Sequence, residues 1–374
     1  MPDALVKPRD DSIALLRSRD AREWIELARQ GEFERAWRVS DRIRACSTEV
    51  DPSLARHLQQ IWDGTDLHGQ RVLIRCYHGL GDTIQFIRYA PLVRARAREV
   101  IVWAQPSLLS LLRTVRGIDR LLPLHDGSPD VDYDVDVEVM ELPYVFRTTL
   151  STIPRDVPYL CGTGLEPRFS RESLDTHRPR IGLVWRAGTW DQRRSIPFAC
   201  LGPLLKLDVA SWYAFHHGIA VGDWHPNLCW LDCNEVQTTA DYMSAMDLVI
   251  TVDSMTAHLA GALGVAVWTL LPSDADWRWM RERSDSPWYP TMRLFRQVQP
   301  GMWDEVIAEV RAQLFTGGLI MPTKVQRGGE AEPDGPRKPS ESEKARREDR
   351  RAEKPADRGE GKVAPRTPGK AEGE

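Results

Sequence analysis

At 374 residues, with 42% hydrophobic and 28% charged side chains, the chain has a globular balance and room for two domains. Its net charge of -4 creates no global basic field, so neither nucleic acid nor an anionic membrane surface is an expected partner. No apolar run reaches the ~18–20 residues of a membrane span, and the charged start MPDALVKPRDDSIALLRSRD lacks a signal-peptide core, so a cytoplasmic location is expected.

Residues 1–62 read as helical, with apolar side chains at helical spacing on either side of a break at Gly31. The phrase ARQGEFERAWRVSDRIRA looks like one tetratricopeptide-type hairpin without a second copy, suited to packing on the next domain or to a protein contact. Over 65–165 strand and helix alternate: RVLIRCY, a GLGDT turn, the amphipathic IQFIRYAPLVRARA, EVIVWAQ, then PSLLSLLRTV. The pattern restarts over 178–318 with RIGLVW, FACLGPLLKL, SWYAFHH, TTADYMSAM, DLVITVD, SMTAHLAGALG, AVWTLLP and MWDEVIAEVRAQLF. Two such units predict an α/β protein of two Rossmann-like lobes with a cleft between them. From 322 to 374 no aromatic residue occurs and mixed charges dominate, so a disordered tail without a catalytic part is expected.

Three strand-to-helix turns carry candidate chemistry. Gly79 and Gly81 allow a tight turn at a helix N-terminus, where free N–H groups favour anions, and Asp82 either caps that helix or serves as a base facing the cleft. Asp253, Ser254, Met255, Thr256 and His258 form a second turn, with His258 one helical turn after Ser254 on the same face. The loop from Arg186 and Gly188 to Arg194 and Ser195 offers guanidinium groups suited to phosphate. Asp130, Asp132, Asp134 and Asp136 alternate with apolar residues as on the solvated face of a strand, and no metal site is assigned to them. The six cysteines lack zinc-site spacing and read as reduced, mostly buried thiols, and most of the fourteen tryptophans read as core or interface residues.

Four segments together resemble glycosyltransferase family 9, the family of the ADP-heptose:lipopolysaccharide heptosyltransferases, in the branch found behind tetratricopeptide repeats. They are HGLGDTIQFIRYAPLV (78–93), RIGLVWRAGTWDQRRSIP (180–197), DLVITVDSMTAHLAGALG (247–264) and DWRWMRERSDSPWYPTMRLFRQ (276–297). The resemblance covers residues 65–315 and implies the two-lobed GT-B fold, with acceptor on the first lobe and nucleotide sugar on the second. It implies Asp82 as catalytic base, Arg194, Asp253, Ser254 and His258 near the donor diphosphate, and His216 at the end of the nucleotide-edge strand. Beyond the donor no cofactor or metal is expected, and the acceptor stays open among a glycan, lipid-linked, protein or small-molecule hydroxyl. The chain departs from the family at Met255, where heptosyltransferases have glycine. It departs from the tetratricopeptide-linked branch at Phe215-His216, where Leu-Gln is usual, and at Glu141, where serine is usual. Two readings compete with an inverting, metal-independent transferase: a non-catalytic nucleotide-sugar or protein-binding module, and a nucleotide-sugar epimerase or hydrolase.

Overall fold

The computed structural model describes residues 19–46, 61–165, 167, 169, 178–189, 191–215 and 223–316, all within one compact unit. The expected tail at 322–374 lies outside the described residues, as does His216. The chain is α/β, with two wholly parallel sheets.

The first sheet contains β1 (Arg71–Arg75), β2 (Glu99–Ala104), β3 (Arg120–Pro123) and β4 (Val135–Glu138), in the order β3-β2-β1-β4. Its central strand is registered by Val72 opposite both Val100 and Val135. The second sheet contains β5 (Arg180–Val184), β6 (Ser211–Ala214), β7 (Leu228–Trp230), β8 (Leu248–Val252), β9 (Val267–Leu271) and β10 (Met292–Arg296), in the order β10-β9-β8-β5-β6-β7. β8 and β9 are buried along their whole length, which explains their unbroken apolar runs, LVITV and VWTLL.

Each sheet changes direction once. In the first, β1 lies between β2 and β4. In the second, β5 lies between β6 and β8. Parallel sheets bind ligands outside the strand carboxyl ends at such switch points. All three candidate turns leave there: the glycine turn follows β1, the arginine loop follows β5, and Asp253-Ser254 follows β8.

Proline shortens several expected helices. IQFIRYAPLVRARA divides into the end of α3 (Leu80–Phe86), a 3-10 turn at Ile87–Tyr89, and α4 (Ala90–Arg94), in whose first turn Pro91 sits. The expected helix at PSLLSLLRTV becomes a 3-10 turn followed by α5 (Leu109–Leu112). α6 (Leu142–Val145) and α7 (Gly202–Leu205) also begin at prolines. Longer helices are α8 (Val236–Ser244), α9 (Met255–Ala262) and the closing α10 (Trp303–Phe315).

The N-terminal hairpin consists of α1 (Arg19–Arg29) and α2 (Phe33–Cys46), turning at Gly31, whose φ of 76° favours glycine. It holds both lobes. Towards the first, the Trp37 indole donates to the Thr148 carbonyl at 2.6 Å, and Asp41 pairs with Arg147 at 2.7 Å. Towards the second, Glu26 pairs with Arg281 and Arg29 with Asp274, both at 2.8 Å, while Trp24 meets Trp277 edge-on at 5.2 Å. One hydrophobic core runs from Phe33 and Trp37 through the first lobe to Trp277, Trp279 and Trp288 of the second. A separate core fills the second sheet's other side, around Trp185, Trp212 and Trp303.

Among the described tryptophans most are buried, as expected, and Trp224 is exposed. Among the described cysteines Cys76 and Cys233 are buried, but Cys161 is exposed, so the reading of mostly buried thiols is only partly met. No described helix is long and apolar enough to cross a membrane.

Candidate active site

The two lobes touch where the sequence placed its chemistry. The N-terminal turn of α3 packs on the N-terminal turn of α9. A β-carbon on Gly81 would lie 2.9 Å from the His258 ring and 3.4 Å from the Met255 Cα. This approach explains the glycine: any side chain would push the lobes apart. It also shows that Met255 leaves the turn room to pack, because its backbone makes the contact.

Asp82 takes the capping part offered by the sequence and also reaches the other lobe. One carboxylate oxygen accepts the Gly79 N–H at 3.0 Å, closing the first turn of α3. The other accepts from Arg278, 196 residues along the chain and on the opposite lobe. Arg278 is 8% exposed and also pairs with Asp276 at 2.8 Å. Its guanidinium lies over Phe86 and Trp277 at 5.4 and 5.3 Å, within cation–π range. Sequence reasoning quoted the segment around Arg278 but assigned it no role. An arginine between two tryptophans gives no sign of a carboxylate so distant in sequence.

At α9, Ser254 occupies the N-cap position without bonding the helix's first amides. Its hydroxyl instead meets that of Thr256 at 2.7 Å, and Thr256 meets Thr251 at 2.7 Å. Ser254 thus stands at the N-cap position without a side-chain cap bond, and an anion at this helix N-terminus would still be favoured. Asp253 is 5% exposed, and burial, then the neighbouring Asp276, push its carboxyl up to about 6 against the attraction of Arg194. Arg194 donates to the Asp253 carbonyl at 3.0 Å, bridging the loops after β5 and β8 across the switch point.

His258 is buried, stacked on Trp279 at 5.2 Å, with Nδ1 3.0 Å from the Tyr289 hydroxyl. Burial and the nearby Arg278, Arg88 and Arg194 hold its pKa well below the ordinary value, so it is neutral. Arg88 joins the same lobe contact, donating to the Tyr159 hydroxyl at 2.7 Å and lying 4.4 Å from the Tyr289 ring.

The remaining candidates sit further out. Arg186 is turned to Asp223, which also accepts from the Trp185 indole at 3.1 Å. Gly188 is exposed with open space around it, and the Ser195 hydroxyl accepts the Ala187 N–H at 2.9 Å, tightening the loop. Asp82, Gly81, Met255 and His258 are thus brought together, and Arg194 joins Asp253. Arg186 and Gly188 belong to the loop rim.

The acidic run differs from its expected form. The strand begins only at Val135, and the aspartates are taken by arginines: Asp134 by Arg71 at 2.9 Å, Asp136 by buried Arg75 at 2.5 Å. A cavity of about 480 Å³ borders Arg71, Glu99, Arg120 and Asp130. It lies at the amino ends of β1–β3, away from the candidate turns.

Glu141 has a structural part. It accepts the backbone N–H groups of Ile61 at 2.8 Å, Trp62 at 3.1 Å and Glu138 at 2.9 Å, although burial pushes its pKa up to about 7. Glu138 is 2% exposed and accepts from the Tyr77 N–H at 3.1 Å, and burial raises its pKa well above the carboxylate range.

No protein-family model matches the chain. It is 24% identical over 297 residues to protein FlbA of Caulobacter vibrioides, covering 68% of this chain and 48% of that protein, so it spans about half the length of the curated relative it matches. Among solved structures it is similar to a family 9 glycosyl transferase from Veillonella parvula. That likeness has 12% identity and a TM-score of 0.43, and covers 62% of this chain and 87% of that one. It is also similar to the E. coli ADP-heptose lipopolysaccharide heptosyltransferase II, at 14% identity and a TM-score of 0.45, covering 66% of this chain and 99% of that one. The motifs of the chain resemble glycosyltransferase family 9, and a solved structure of that family is among those to which it is similar.

Proposed function

We propose that this chain is a glycosyltransferase that moves a sugar from a nucleotide-sugar donor to a hydroxyl of a glycan, lipid-linked or protein acceptor. The observation that carries the reading is the meeting of two helix N-termini from different lobes, one bearing Asp82 and the other Ser254, Thr256 and His258. The first supplies a carboxylate, and the second supplies the amides of a helix N-terminus without a side-chain cap, suited to a diphosphate. Proton removal and leaving-group stabilisation are the two demands of this reaction.

In the proposed step Asp82 takes the acceptor hydroxyl proton and the oxygen attacks the anomeric carbon. The bond from that carbon to the diphosphate oxygen breaks, and its electron pair leaves with the nucleoside diphosphate. A single displacement inverts the anomeric configuration. Arg194 and the α9 amides balance the developing charge without a metal ion, and neutral His258 shapes the wall beside them.

The test is thermal stability against UDP, GDP, ADP, CMP and dTDP and their sugar conjugates, for the wild type and Arg194→Ala. A ligand at 100 times its Kd adds ~2.7 kcal/mol, a rise of ~2–4 °C at this size. One nucleotide should stand out and lose its effect in the variant. Nucleotide binding with no transfer to any acceptor would leave the binding module. Free or isomerised sugar formed without acceptor would favour the hydrolase or epimerase.

A further inference from the structure

Arg278 is held on one side and half open on the other. Its Nη1 is fixed on Asp276 at 2.8 Å, and the same carboxylate oxygen accepts the Arg278 backbone N–H at 3.0 Å. Opposite is the Nε–Nη2 edge, the pair of parallel N–H groups that suits two oxygens of a phosphate or carboxylate. There Nη2 donates to Asp82, while Nε is buried without a hydrogen-bond partner. Asp82 cannot fill both places as it stands, because its second oxygen is bonded to the Gly79 N–H. A buried guanidinium N–H without a partner is costly and calls for an explanation.

The surroundings point to an anion. Arg278 is flanked by Trp279, which stacks on His258 in the first turn of α9. It is also close enough to Asp253 and His258 to act on both electrostatically. The uncapped amides of α9 lie beside the same contact. Acidic groups facing Arg278 are Asp82, Asp276 and Asp253, and the other cations at the contact are Arg194 and Arg88.

We propose that Arg278 exchanges its Nε–Nη2 edge from Asp82 to the diphosphate of the nucleotide sugar, so that donor binding releases Asp82 to receive the acceptor's proton. This rests on the nucleotide-sugar reading above. Without donor, the base is occupied by an ion pair across the lobes. With donor, two phosphate oxygens fill the edge that a single carboxylate oxygen leaves incomplete. Proton removal is thereby tied to an occupied donor site. The exchange breaks one ion pair and forms another, with no covalent change at Arg278.

The exchange makes a prediction about binding alone. Asp82 and the diphosphate compete for one guanidinium, so Asp82→Asn should bind the preferred nucleoside diphosphate about 3–10 times more tightly than wild type, a gain of ~0.7–1.4 kcal/mol. Arg278→Gln should weaken binding at least tenfold. With glutamine already at 278, Asp82→Asn should have no further effect. Calorimetric titration of the four proteins with nucleoside diphosphate reads all three expectations, and near-UV circular dichroism establishes that each is folded. Should Arg278→Gln fail to fold, Arg278→Lys replaces it, since lysine keeps the charge but lacks the two-pronged edge.

An unchanged Kd in Asp82→Asn overturns the exchange. Equal tightening with and without Arg278 overturns it too, because it reports only the removal of a negative charge. Wild type that binds no nucleoside diphosphate defeats the nucleotide-sugar reading itself, and this inference with it. Binding without the coupling defeats the inference alone.

Discussion

Asp82 has one carboxylate and two existing claims on it, and this decides what its removal does. Asn at 82 keeps an oxygen for the Gly79 N–H but gives up the ion pair to buried Arg278, so Asp82→Asn should stay folded with a stability loss of about 1–3 kcal/mol, while transfer falls by about 10²–10⁴-fold, measured as product formed at saturating donor. Asp253 is the second titratable group with a consequence. Its folded pKa of about 6 stands above the ordinary 3.8 of an unfolded aspartate. The folded state therefore binds more protons between those values, and stability falls as pH rises from about 4 to about 6, then levels off. Denaturant titrations across that window should show a loss of up to about 3 kcal/mol from this group, and Asp253→Asn should remove that part of the slope. The sequence displayed both aspartates, because each follows an apolar strand and opens a helix. It could not display Arg278, whose importance comes from a partner on the other lobe, or the depth at which Asp253 is buried.

Helices α3 and α9 meet at their first turns, and glycine permits it. Gly81→Ala places a methyl 2.9 Å from a His258 ring that is fixed by Trp279 and Tyr289, so the ring has little freedom to yield. The substitution should cost about 1–3 kcal/mol in chemical denaturation, as overpacking does, and should weaken the thermal response to nucleotide. Gly188→Ala is the contrast: nothing lies within 4 Å of the added carbon, and the expected change is within about 0.5 kcal/mol. At this scale the sequence announced most strands through apolar runs and the strand-to-helix turns through glycine, aspartate and serine. It overstated helix length where Pro91 and Pro203 restart the chain, and it missed the edge strands β3, β7 and β10. Edge strands carry weak signals: Leu228–Trp230 is three residues long and only its first is buried. The aspartates at 130–134 alternate as a strand would, yet precede β4, because Arg71 draws Asp134 to the start of β1.

Across the whole molecule, the hairpin and both lobes share a core, so their stabilities should not separate. Trp37 is 5% exposed and bonded to Thr148, and Trp37→Ala should cost about 3–5 kcal/mol. Fluorescence and far-UV circular dichroism should report one coincident unfolding transition in wild type. A first phase confined to one lobe would contradict the shared core. The alternation of strands and helices made the two-sheet architecture legible, and the apolar spacing revealed the hairpin. What the hairpin holds was hidden, since its anchors at Thr148, Arg147, Asp274 and Arg281 are far away in sequence.

Those anchors give the molecule a spine. A book bound along one edge opens only along the other, and α1 and α2 bind the two lobes in this way on one side. For the proposed transferase, loosening the pages' attachment to the spine should alter turnover without touching a single reacting group.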